Sequence, residues 1–112
     1  MEFDNLIERF LNNSYFLIVM AKQKTSTLEA SVKIATLAAK FGEEVEGALK
    51  HGYANSYWRM GELVKEMSSF RPVFLELLGF YGQKDYPDVA PKNVENFRRQ
   101  IEKYQSIILD TD

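Results

Sequence analysis

The sequence predicts an all-α fold, a compact bundle of four or five helices, on three observations. Apolar residues recur at spacings of three and four along most of the 112 positions, helix start and stop signals bracket those stripes, and only 82–90 has the composition of a long loop. There is no internal repeat and no linker, so residues 1–112 read as a single domain. A chain of this length supports one core, burying roughly two-thirds of its unfolded surface.

The first helix is expected over 3–23. Phe3, Ile7, Phe10, Leu17 and Ala21 share a face, Ser14 fills the gap, and Asp4 or Asn5 is available as a cap. Within it, Tyr15-Phe16-Leu17-Ile18-Val19-Met20 is apolar on every side and rich in β-formers, so that stretch reads either as helix or as strand. As a helix it would need covering by other helices or by a second chain. The second helix, 27–50, opens on Ser26-Thr27-Leu28-Glu29, the spacing of a capping box. It continues through Leu28, Val32, Ala35, Phe41, Val45 and Leu49 and stops at Lys50-His51-Gly52. Small residues at Ala35, Ala38, Ala39, Gly42 and Ala48 would admit a close neighbour. Gly42 and Gly47 each cost about 1 kcal/mol relative to alanine in a helix interior, which leaves a break near Phe41-Gly42 as an alternative.

The third helix, 53–67, carries Tyr53, Tyr57, Met60, Val64 and Met67, with Asn55 or Ser56 as candidate cap. Ser68-Ser69-Phe70-Arg71-Pro72 interrupts it, because proline lacks an amide donor and clashes with the preceding turn; a kink or a new helix from about Ser69 follows. The fourth, 72–81, has Glu76 as its single charge and should be largely buried. After the loop, Pro91 suits the first turn of a helix over 91–109. Its stripe, Val94, Phe97, Ile101, Tyr104 and Ile108, is the cleanest in the chain, and Glu95 and Arg99 form an i,i+4 pair.

Composition narrows the function classes. Sixteen acidic and 14 basic residues are mixed along the chain for a net charge of -2, so no strong field is built for phosphate backbones or anionic lipids. The absence of cysteine removes disulfides, thiolate catalysis and cysteine-ligated zinc together. The longest apolar run, 15–21, is far short of the roughly 20 residues that span a bilayer. Acidic residues precede it where a secretory signal would be basic, so a cytoplasmic protein with no membrane contact is expected.

Catalytic chemistry finds little support. His51 is the single histidine, no nucleophile motif surrounds it, and its place before Gly52 suits a favourable interaction with a helix C-terminus. Glu43, Glu44 and Glu46 read as a solvated face; they lack the Asp/Asn alternation of a calcium loop and the Glu-x-x-His pairs of a di-iron bundle. The glycine spacings match no phosphate loop. No enzyme activity, cofactor or metal is therefore expected. Ile34-Ala35-Thr36-Leu37-Ala38-Ala39-Lys40-Phe41-Gly42 resembles the first helix and turn of a helix-turn-helix over nine residues. Glu43 stands where an apolar residue would lock the two helices, and Glu44 and Glu46 would face phosphates.

The remaining candidate is an aromatic and basic grouping: Tyr53, Tyr57, Trp58 and Arg59, then Phe70, Arg71, Tyr81, Lys84 and Tyr86. Tyr57, Trp58 and Arg59 are the expected partner-binding residues, being of the types enriched in interface hot spots, with Trp58 and Arg59 flanking the apolar stripe. The competing reading buries Trp58 against a neighbouring helix. The expected function is that of a non-enzymatic protein-binding module, such as a small inhibitor, immunity-type protein, adaptor or chaperone. A homodimer is a companion expectation. The alternative is a helical subunit of a nucleic-acid-binding or ribonucleoprotein assembly, using Lys22, Lys24, Arg98, Arg99 and Lys103.

Overall fold

A computed structural model describes residues 28–110. The expected helix over 3–23, the helix-or-strand stretch 15–20 and the cap residues Ser26 and Thr27 lie outside those residues. The described residues are helical with no strand: α1 (Leu28–His51), α2 (Ala54–Met67), a 3-10 turn (Ser68–Phe70), α3 (Arg71–Gln83) and α4 (Pro91–Asp110).

α1 runs unbroken through Gly42, so the chain makes no turn where the helix-turn-helix resemblance would need one. Its core face is Ile34, Leu37, Ala38, Phe41, Val45, Ala48 and Leu49. Val32, expected on that face, is 57% exposed, and Ala35 is exposed as well. The correction has a simple cause: the six-residue step from Ala35 to Phe41 is out of phase with a 3.6-residue repeat, so the early stripe belongs to another side of the helix.

α1 ends as its sequence requires. Gly52 takes φ +64°, and its N–H donates to the Ala48 carbonyl at 3.0 Å, the single bond of an αL cap. The Asn93 side-chain amide, from the first turn of α4, donates to the Leu49 carbonyl at 3.0 Å. A Cβ on Gly52 would also stand 3.3 Å from the side-chain Oδ1 of Asn93. Gly52→Ala should therefore cost about 1–2 kcal/mol from the left-handed backbone alone, read as a drop in the urea midpoint.

α2 starts differently from expectation. Tyr53 is its N-cap with no side-chain capping bond, while Asn55 and Ser56 lie inside the helix. Ser56 is 3% exposed because it is the contact point with α1: a Cβ added to Gly47 would run into its Oγ. The two helices are antiparallel, and three residues along from that contact Glu44 meets Arg59. Gly47 thus gives up helix propensity for close approach. Gly47→Ala alone should displace the Ser56 hydroxyl and destabilise. In a Ser56→Ala background the next neighbour of the new methyl is an ordinary 3.6 Å contact, so the same change should gain up to about 1 kcal/mol. Thermal melts of the four proteins check this reversal of sign.

The proline expectation resolves into both of its forms: a 3-10 turn ends α2, and α3 then starts at Arg71 with Pro72 in its first turn. Val73, Phe74, Leu77, Leu78 and Tyr81 are buried as expected for a segment with one charge. All five stripe residues of α4 are buried, and α4 packs against each of the other helices. Tyr86 folds the 84–90 loop inward. Its hydroxyl donates to the Tyr81 carbonyl at 2.6 Å and its ring meets Phe97 edge-on at 5.8 Å.

Candidate functional site

The three candidate residues are consecutive, and a helix turns about 100° per residue, so they cannot share one direction. Met60, Val64 and Met67 carry the core side of α2. Tyr57 leans toward α4, where the Tyr104 hydroxyl donates to its backbone carbonyl at 2.9 Å. Arg59 leans the other way and its Nε donates to Glu44 of α1 at 2.6 Å. Trp58, between them, points away from the core and is 67% exposed. The competing reading, burial of Trp58 against another helix, does not describe its place among these residues.

Each neighbour is held for a structural reason. Tyr57 is half-buried, with its hydroxyl shielded from solvent; burial raises its pKa, an effect the Asn96 side chain opposes. The Glu44 carboxylate is only 17% exposed, so its charge-assisted bond to Arg59 is partly desolvated and ties α1 to α2. These contacts fix the α2 backbone on both sides of Trp58, which presents its ring on a rigid element. Tyr53, the other large exposed aromatic nearby at 54%, stacks on His51 with ring centroids 4.7 Å apart.

The rest of the aromatic and basic grouping separates from this surface. Phe70 and Tyr86 are buried in the core, which takes them out of the surface grouping, and Tyr81 is buried as its place in the apolar fourth segment predicts. Lys84 offers its backbone carbonyl to Arg98 at 3.0 Å. Of the acidic run, Glu46 pairs with Lys50 at 3.0 Å and Glu44 with Arg59, while Glu43 is exposed. An open groove along the α1–α2 seam, of about 390 Å³, is lined by Lys40, Glu43, Glu44, Arg59, Glu62, Leu63 and Glu66, with both charge signs interleaved.

Chemical apparatus is sparse on these helices. Among the described residues no three His, Asp or Glu side chains converge as metal ligands. His51 has an aromatic ring as its stacking partner at an exposed helix end. No helix of the described residues is long and apolar enough to cross a membrane. The two arginines of α4 are engaged with acidic groups and a carbonyl, Arg99 lying 3.6 Å from Glu95 and Arg98 bonding the Lys84 carbonyl and lying 4.0 Å from Asp85, while Lys103 is exposed. Lys22 and Lys24 lie outside the described residues. Sequence reasoning passed over Gly61, which sits one turn from Trp58 inside α2. Its signal was available as a glycine in the interior of a helix with a regular stripe.

The chain matches no protein-family profile, no curated protein sequence and no solved structure.

Proposed function

We propose that this chain is a non-enzymatic protein-binding domain, of the small inhibitor, immunity-type, adaptor or chaperone kind, acting through the outer face of α2. The observation that carries this reading is Trp58: the largest side-chain type stands 67% exposed on the side of a helix away from the core, between two residues locked to neighbouring helices. A tryptophan presented on a fixed backbone loses little entropy on contact and offers a large apolar area, which is why it recurs at the centre of interfaces. Mixed surface charge and paired arginines on α4 favour a protein partner over nucleic acid. A cysteine-free chain also suits a reducing cytoplasm.

The test is capture of partners from the native host by wild type, Trp58→Ala and Arg59→Ala, with mass spectrometry and a parallel assay for co-purifying nucleic acid. Trp58→Ala should weaken capture by about 30-fold or more, the size of a hot-spot loss. Arg59→Ala should have a smaller effect on capture, since its guanidinium is already committed to Glu44 within the chain. Trp58→Ala should leave thermal stability within about 0.5 kcal/mol, as expected for a surface position. Undiminished capture by folded Trp58→Ala would remove this surface from consideration.

A further inference from the structure

Gly61 lies in the interior of α2 and has no evident use among the described residues. Gly47 is needed for the contact with Ser56, and a Cβ on Gly82 would press to 3.1 Å from Ile101. A Cβ on Gly61, by contrast, would meet among the described residues only a Tyr104 ring carbon at an ordinary 3.9 Å. A glycine that weakens a helix and relieves no crowding among the described residues leaves room for a neighbour beyond them.

What that something is follows from the face on which Gly61 stands. Ala54, Trp58, Gly61 and Lys65 follow one another at steps of four, three and four, so they form one row along α2. The row alternates small, large, small, long. Laid antiparallel against itself about a twofold axis near the middle of α2, it sets Trp58 of each copy over Gly61 of the other and Lys65 over Ala54. Every bulky side chain then meets a gap, the self-complementarity that a twofold interface demands. The charges agree with this arrangement. The face is neutral, Lys65 being paired with Glu62 at 3.0 Å, and the pairing places no like charges opposite each other. Lys65 would arrive beside the exposed ring of Tyr53, which precedes Ala54, and an ammonium group is attracted to an aromatic face.

We infer that α2 is a homodimer interface in which Trp58 packs over Gly61 of a second copy. This rests on the proposed reading of the Trp58 face as a contact surface and names its occupant. A single 14-residue helix face with two exposed aromatics falls below the roughly 800 Å² per partner of a standard stable interface, so the dimer should be reversible, with Kd on the order of 10–100 μM.

The experiment is sedimentation velocity across that concentration range on the full chain, with emission of its one tryptophan recorded in parallel. Wild type should shift from monomer to dimer as concentration rises, with Trp58 emission moving to the blue because dimer formation buries the ring. Trp58→Ala should remain monomeric. Gly61→Ala, which has room in its own chain, should fold and weaken the dimer at least about tenfold by filling the hollow. The exposed Ala54 gives a test of sign. Ala54→Glu places a carboxylate against Lys65 of the other copy and should tighten the dimer, whereas Ala54→Lys should loosen it. A wild type that stays monomeric throughout, or equal effects of the two Ala54 substitutions, would overturn the inference. If the protein is monomeric while Trp58→Ala still loses a different captured protein, the homodimer fails and the protein-binding reading stands.

Discussion

Phe41→Ala is expected to destabilise the protein by about 3–5 kcal/mol, a large fraction of the 5–15 kcal/mol that holds a domain of this size together. Phe41 is fully buried where three helices meet. Its ring lies 5.8 Å from Tyr81 of α3 and packs edge-on against Tyr104 of α4 at 6.4 Å. Truncation removes the transfer energy of the ring, leaves a cavity that long helices cannot collapse, and takes away two aromatic contacts at once. Urea denaturation should show a lower midpoint with an unchanged slope, whereas Phe41→Leu, which keeps most of the volume, should lose much less. A loss below about 1 kcal/mol would mean that Phe41 is not at the centre of the core.

The second large effect is alkaline unfolding. Burial pushes the Tyr104 hydroxyl up to about 12, with nearby Tyr57 adding to the shift. Burial likewise raises Tyr57, Tyr81 and Tyr86. Below pH 10 these phenols are neutral in both states and their contribution to stability is complete. Above pH 10 the unfolded chain releases protons that the folded chain retains, so stability falls as pH rises through the folded values. For Tyr104 alone the window from about pH 10 to 12 corresponds to a loss on the order of 2–3 kcal/mol. The other buried phenols add to it. Helical circular dichroism and the tyrosinate absorbance of these residues should therefore change together in one cooperative step. Titration near pH 10 with helix content intact would contradict the burial. Tyr104→Phe should flatten the alkaline profile while forfeiting its bond to the Tyr57 carbonyl, worth about 1 kcal/mol at neutral pH.

Both effects trace to residues whose burial could be read only partly in advance. The stripe of α4 was legible because its spacing never leaves phase, so Val94, Phe97, Ile101, Tyr104 and Ile108 all point inward. The stop at Gly52 was legible because the left-handed conformation at a helix end favours glycine over residues with a Cβ. Val32 misled, since a spacing rule applied across a phase break selects the wrong side of a helix. The α2 cap misled as well: Asn55 and Ser56 are good capping types, yet the tight turn after Gly52 starts the helix at Ala54 and turns Ser56 into a packing residue against Gly47.

The candidate site shows the same division. That Tyr57, Trp58 and Arg59 deserved notice followed from residue type, but type could not say that Glu44 and Tyr104 would hold the flanking positions while Trp58 remained in solvent. Those partners lie 15 and 47 residues away along the chain. By itself, the sequence determined the helical class, the α4 core face and the Gly52 stop, because each depends on spacings of a few residues and on intrinsic backbone preferences. The tertiary structure alone decided which side of the first turns of α1 is buried, why Gly47 is a glycine and where Trp58 points, because these depend on which distant helix lies alongside.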